Sequence, residues 1–445
     1  MKTTLIQDAF LVNEGKIARK DLRIVDEKIA EIADHLSPKK GEEVINAQGK
    51  YLLPGLIDDQ VHFREPGLTH KACIYTESRS AVAGGITSFI EMPNTVPQTT
   101  TCEQLDKKLA LAKQNSLANY GFMFGGTNDN FEEIQRLDTH KAAGLKLFLG
   151  SSTGNMLVDD EQTLRKIFSN TDLVISVHCE DEPTIKANLA AHLATHGEDI
   201  PIEKHPIIRS REACFLSSSR AIALAKETGA RLHVFHLSTA DETALFDNTI
   251  PLEEKRITAE VCVHHLWFTE NDYAEKGTKI KWNPAIKSTS DRTALWKALN
   301  DDRIDILATD HAPHTREEKN NVYTQAPSGG PLVQHALLAM LTAVKQNKIT
   351  MEKLVQKACH NPAILFQIEG RGYLRKGYQA DMVLVDLDQK THVTQDSLLY
   401  QCKWSPFEGT TFDAQIERTW VNGKTVYAGG KIIEVNTAQP LKYRR

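Results

Sequence analysis

Long hydrophobic runs are missing from this 445-residue chain. A membrane-spanning helix needs about 18 or more consecutive apolar residues, and no stretch here reaches that length. The start, Met1-Lys2-Thr3-Thr4-Leu5-Ile6-Gln7-Asp8, lacks the apolar core of a secretory signal, so no signal peptide is expected. A basic surplus is missing too: 53 Lys and Arg stand against 58 Asp and Glu, a formal charge of −5. With no basic patch and no long single-sign run, neither nucleic acid nor a membrane surface is an expected partner. The seven cysteines are odd in number and scattered, without a Cys-x-x-Cys pair. They read as reduced thiols of a cytoplasmic protein, not as a disulfide framework. Internal repeats and low-complexity segments are also absent. What remains is an ordinary globular composition, 41% hydrophobic and 25% charged, long enough for more than one domain.

Two grammars alternate along the chain. Residues 4–52 switch between apolar and polar in short bursts, with Leu22 and Ile24, then Ile29 and Ile32, and turn residues such as Asn13-Glu14-Gly15 between them. That pattern predicts hairpins. Residues 371–386 and 416–433 repeat it, and Asn422-Gly423 is a strong hairpin turn. Between these ends the order becomes strand, loop, helix. Strands are expected over 55–63, 87–92, 120–124, 145–149, 173–178, 232–236, 257–263 and 304–308, with helices such as 101–114, 211–228 and 290–299 between them. Eight such units in roughly 310 residues fit an α/β fold of the (β/α)8 barrel type, somewhat above its usual ~250 residues. A doubly wound open sheet would carry a glycine-rich phosphate turn after its first strand, and none is there. The expected organisation is a catalytic barrel over 53–365 and a small β-sandwich formed by both chain ends, 1–52 and 366–445.

Six of the eight apolar segments end on residues suited to a metal or a polar substrate. In order they are Gln60-Val61-His62-Phe63-Arg64, Met92-Pro93-Asn94, Lys146, His178-Cys179-Glu180, His236 and Thr309-Asp310-His311-Ala312-Pro313-His314. A parallel barrel gathers the C-terminal ends of its strands on one rim, where the active sites of this architecture lie. Neutral imidazoles with a carboxylate suit zinc or a similar divalent ion. His62, His178, His236 and Asp310 are therefore candidate ligands, and Asp310 can also take a proton from a metal-activated water. Lys146, in the apolar strand Gly144-Leu145-Lys146-Leu147-Phe148, is open to three readings. It faces outward and is solvated, or it is a cation of depressed pKa, or its neutral amine has captured CO2 as a carbamate able to bridge two metals. His264 and His265, read as adjacent strand residues, face opposite sides and suit packing roles. His70, His205 and His311 are read the same way. Arg64 offers a fork for a carboxylate. Asn94, Asn283 and His314 complete a polar pocket.

The motifs Pro54-Gly55-Leu56-Ile57-Asp58, Val61-His62-Phe63-Arg64-Glu65-Pro66-Gly67 and Asp310-His311-Ala312-Pro313-His314 resemble the dihydroorotase family of the amidohydrolase superfamily, and the resemblance runs over nearly the whole chain. It implies zinc-dependent, reversible hydrolysis of L-dihydroorotate to N-carbamoyl-L-aspartate, a step of pyrimidine (UMP) synthesis. By position it implies His62 and Asp310 as ligands of a first metal and His178 and His236 of a second. Lys146 would be the carboxylated lysine bridging them, with Asp310 the catalytic acid and base. Arg64, Asn94, Asn283, His314, Ser328 and Gly329 would hold substrate. One position departs from the family's His-x-His: the first histidine is Gln60 here. An amide oxygen is a poor zinc ligand beside an imidazole. The first metal site is therefore expected to be weakened, or filled through Gln60 oxygen and water, giving one or two Zn2+ ions per subunit. Two rivals stand beside this reading. One is an allantoinase or hydantoinase using the same metals. The other is a non-catalytic, dihydroorotase-like subunit associated with aspartate transcarbamoylase. The expected partner is a small-molecule substrate, and homo-oligomerisation is left open.

Overall fold

The computed structural model describes residues 2–150 and 156–445. The chain ends build one nine-stranded sheet from residues 3–54 and 382–432. In its first strand, Thr3–Asn13, the apolar side chains Leu5, Ile6, Ala9, Leu11 and Val12 are buried, and the strand pairs antiparallel with Lys16–Val25. The connection is two residues, Glu14 and Gly15, at φ 52° and 72°. Two left-handed residues in succession match the twist of a tight hairpin. Asn422 and Gly423, at φ 47° and 71°, make the same turn between Gln415–Val421 and Lys424–Ala428. A Cβ on Gly423 would lie 2.2 Å from the Asp26 carbonyl oxygen, so close approach adds to the conformational demand for glycine. The two ends of the chain join where Tyr51–Pro54 pairs antiparallel with Met382–Asp386, placing Leu52 opposite Leu384 and Leu53 opposite Val383.

The second sheet is the barrel. Its strands are Leu56–Val61, Ile86–Glu91, Asn119–Gly125, Gly144–Phe148, Ile175–His178, Leu232–Val234, Ile257–Cys262 and Ile306–Ala308, neighbours in chain order and parallel throughout. Nearly every strand residue is buried, as parallel strands covered on both faces require. The first and last strands close through a parallel bridge between Val61 and His311, and the Thr309 hydroxyl donates to Asp58 at 2.6 Å. The covering helices Cys102–Asn115, Arg211–Thr228 and Thr289–Asn300 begin with Thr101, Ser210 and Ser288, whose hydroxyls accept from exposed N–H groups of the first turn. The second of them ends at Gly229 in the left-handed region, φ 73°. No helix among the described residues is long and apolar enough to cross a membrane.

Three expectations change at this level. The seventh strand stops at Cys262, and Val263–Trp267 is a short helix, so the alternating-face argument for His264 and His265 does not apply. Both rings are nonetheless packed inside: His264 stacks on Trp282 at 4.3 Å, and His265 Nε2 lies 3.1 Å from the Pro284 carbonyl. The sixth strand stops at Val234, which leaves His236 two residues beyond it in a loop. Lys146 is 1% exposed, which overturns the outward, solvated reading.

Candidate active site at the barrel rim

The rim residues meet as two pairs. His62 Nε2 faces Asp310 Oδ1 at 3.2 Å, and His178 Nδ1 faces His236 Nε2 at 3.0 Å. Each pair is aimed by a neighbour. The Asn94 carbonyl oxygen accepts from His62 Nδ1 at 2.8 Å, which leaves Nε2 with its lone pair toward Asp310. Glu180 accepts from His178 Nε2 at 2.9 Å, which leaves Nδ1 with its lone pair toward His236. Burial lowers the pKa of His62 although the Asp310 charge opposes it, and burial, reinforced by His178 and Lys146, lowers His236 well below the usual range. Both rings are therefore held neutral, the form a metal takes. Arg64, His236 and Asp310 have φ of 68°, 40° and 48°. A non-glycine residue in that region carries about 1–3 kcal/mol of strain, and such residues concentrate at active sites.

Lys146 rises from the fourth strand with no hydrogen-bond partner for Nζ among the described residues. Its ammonium lies 4.2 Å from the Phe235 ring centroid and 4.8 Å from that of Phe148. Burial brings its pKa down to about 7, against the opposing pull of Asp310 and Glu260. It is close enough to both pairs that its charge acts on His62 and His236 alike. Gln60 is buried, and its oxygen lies 3.7 Å from Cys262 Sγ. That thiol has one hydrogen and a nearer acceptor, Glu260 Oε1 at 3.2 Å, so the amide oxygen has only a weak claim on it.

A second group gathers beside the pairs. Arg64 donates to the Pro313 carbonyl at 3.0 Å and lies 3.0 Å from His314 Nε2. Burial pulls its pKa down to about 10. Among the described residues no carboxylate lies within ion-pair distance of its guanidinium. His314 also meets the Ser328 carbonyl at 2.9 Å, and the Ser328 hydroxyl donates to Asn283 Oδ1 at 2.9 Å. Gly329 has φ 124°, and a Cβ there would come within 2.5 Å of the Ala312 carbonyl oxygen, so only glycine lets this loop lie against His314. The sequence motifs thus converge on one rim.

A family model for the amidohydrolase family matches residues 51–426. The chain belongs to the amidohydrolase family. Among its relatives, the dihydroorotase of Halobacterium salinarum is 34% identical over 433 residues, 96% of this chain and 97% of its own length. The allantoinase of Desulfitobacterium hafniense strain Y51 is 30% identical over 438 residues, 96% of either chain. Among solved structures, the L-hydantoinase (dihydropyrimidinase) of Arthrobacter aurescens superposes with a TM-score of 0.94 at 29% identity, covering 99% of this chain and all of its own. The amidohydrolase fold and the near-complete alignment therefore extend to the chain-end sheet as well as the barrel.

Residues outside the expected ligand and substrate sets support this amidohydrolase site from behind. Glu180 also pairs with the Arg209 guanidinium. Burial pushes its carboxyl up, but Arg209 and His178 outweigh that and bring it down to about 2. Lys319 is buried and donates to the Pro327 and Gly329 carbonyls at 2.8 Å each, fixing the loop that carries Ser328. His205 and His311 are structural as expected: His205 meets the Trp282 carbonyl at 2.6 Å, and His311 meets Glu77 at 2.9 Å. Glu180→Gln should loosen the orientation of His178 and weaken metal binding by about 10- to 100-fold. Competition with a fluorescent zinc chelator measures this, and unchanged affinity would remove Glu180 from the site.

Proposed function

We propose that this amidohydrolase is a zinc-dependent dihydroorotase, which interconverts L-dihydroorotate and N-carbamoyl-L-aspartate. The observation that carries the choice is Arg64, a buried guanidinium on the rim with no carboxylate partner among the described residues. A buried unpaired cation is costly, and an anionic substrate removes that cost. Dihydroorotate carries a carboxylate, whereas allantoin and simple hydantoins do not. The dihydroorotase relatives support the same reading.

The donor set fits a divalent ion: neutral imidazoles, a carboxylate, and two buried atoms, His236 Nδ1 and Lys146 Nζ, without partners. His62 and Asp310 would hold one ion and His178 and His236 another, with Lys146 as a carbamate between them. A zinc ion there lowers the pKa of water and polarises the ring amide carbonyl. Arg64, with the Ser328-Gly329 loop and Asn283 beside it, holds the substrate carboxylate and fixes the ring for attack. Asp310 accepts the proton of the attacking water and returns it to the leaving nitrogen. Asn94 keeps His62 in the tautomer that leaves Nε2 free.

Purified protein assayed on dihydroorotate, allantoin and hydantoin, with its metal content measured on the same sample, tests this reading. Dihydroorotate should be by far the best substrate, and chelation should abolish turnover. Preference for an uncharged ring would favour the allantoinase class, and absence of stoichiometric metal would favour the non-catalytic subunit. Gln60 should leave the first metal site weaker than the second, because its oxygen replaces an imidazole nitrogen. Gln60→His should then raise zinc stoichiometry or affinity, and zinc titration of apoprotein checks it: two equally tight sites in the native sequence would defeat the weak-site idea.

A further inference from the structure

Inside the barrel three further side chains from three strands meet. Asp59 comes from the first strand, His233 from the sixth and Glu260 from the seventh, and all are fully buried. His233 Nε2 lies 3.4 Å from Asp59 Oδ2 and 3.8 Å from Glu260 Oε2. One ligand atom from each lies within 4.8 Å of the others, the one such trio of histidine, cysteine or acidic residues among the described residues. Charge-assisted N–H···O bonds close to about 2.7–2.9 Å, and both separations are longer. The Asp59 separation falls within the roughly 3.3–3.6 Å between two donors on a tetrahedral ion bound at about 2.0–2.2 Å, and the Glu260 separation is slightly longer.

Hydrogen bonds behind the trio leave its free atoms turned toward one another. The Thr258 hydroxyl donates to the Leu232 carbonyl at 3.1 Å, so it accepts from His233 Nδ1–H at 2.8 Å. In the neutral ring Nε2 is then the lone-pair nitrogen, and a metal-ligating imidazole is oriented in the same way by its second nitrogen. Glu260 Oε1 accepts from the His236 backbone N–H and from the Cys262 thiol, each at 3.2 Å, which leaves Oε2. Both Asp59 oxygens, His233 Nε2 and Glu260 Oε2 have no hydrogen-bond partner among the described residues. Buried polar atoms of native proteins are nearly always partnered, and a cluster of exceptions points to an ion or ordered water. A divalent ion on Nε2 would leave the ring neutral and balance the two carboxylates; without one, burial is outweighed by Asp59 and Glu260, which raise the His233 pKa to about 9.

We propose that the barrel interior holds a divalent transition-metal ion of the zinc class through Asp59, His233 and Glu260, separate from any metal on the rim. The ion ties the first, sixth and seventh strands together. It also fixes Glu260, whose other oxygen holds the strained backbone of His236. The inference stands apart from the dihydroorotase reading, because none of the three residues faces substrate in it. The competing occupant is a proton, giving a His233 imidazolium clamped by two carboxylates.

Crystals of the full chain grown with zinc sulfate, measured on both sides of the zinc absorption edge, distinguish the two. An anomalous peak within bonding distance of all three side chains is the expected result. In parallel, His233→Asn and Asp59→Asn should each lower the metal content of dialysed protein by one ion per chain, while His178→Ala should leave this ion in place. A wild-type map without that peak overturns the proposal, as does unchanged metal content in folded His233→Asn protein. The wild-type map decides the matter even where a variant does not fold.

Discussion

Replacing Arg64 with alanine is expected to lower kcat/KM for dihydroorotate by roughly 30- to 5,000-fold. The figure follows from the about 2–5 kcal/mol lost when one partner of a buried charge pair is removed, at about 1.4 kcal/mol per tenfold. The guanidinium is buried, held by the Pro313 carbonyl and set beside His314, so it is already aimed before substrate arrives. Preorganisation of that kind places the interaction in the transition state as well as in the bound state. An uncharged cyclic amide turned over by the same protein offers no carboxylate and should lose far less. Steady-state kinetics on both substrates measure the difference. Equal losses on the two would mean that Arg64 only props up the Pro313-His314 segment, and the substrate assignment would fall with it.

Lys146→Ala should release metal and lower activity by roughly 10²- to 10⁴-fold, because Lewis-acid polarisation contributes several kcal/mol to the transition state. Partial rescue by added short carboxylic acids is expected, since a small anion can fill the space of the carbamate. The chemistry needs the neutral amine: Nζ attacks the carbon of CO2, a new N–C bond forms and one proton leaves. Burial brings the pKa of Lys146 down to about 7, so the reactive form is well populated at neutral pH. The sign follows directly. As pH falls below about 7 the amine takes up a proton and cannot add CO2. Reactivation of chelator-treated protein by zinc and bicarbonate should therefore slow as pH drops through that range. Electron density for a bare amine turned away from the rim would end the carbamate proposal.

The barrel was legible because its strands are short, mostly apolar runs, six of which end on residues suited to a metal or a polar substrate. The eight expected strands all occur, with ends shifted by one or two residues. Those small shifts mattered at two places. His236 lies past its strand in a left-handed conformation, and His264-His265 open a helix in place of extending a strand. Neither change leaves a mark on the local apolar pattern, because both are set by what packs over the strand end. The hairpins at Glu14-Gly15 and Asn422-Gly423 were legible for the opposite reason: their backbone conformation is a local preference of the residues themselves.

The amino-acid sequence by itself determined which residue types gather on the rim, since histidine, lysine, aspartate and arginine at successive strand ends must meet once the strands are parallel and in order. Only the tertiary structure decided how they are paired and aimed: Asn94 on His62, Glu180 and Arg209 behind His178, Lys319 under the Ser328-Gly329 loop. Asp59, His233 and Glu260 show the same limit, since nothing in the local pattern of their three strands connects them. Their meeting depends on barrel closure and on strand register across more than a hundred residues of chain. Local preference acts between near neighbours and fixes elements, whereas register and closure are settled by the packing of the whole core.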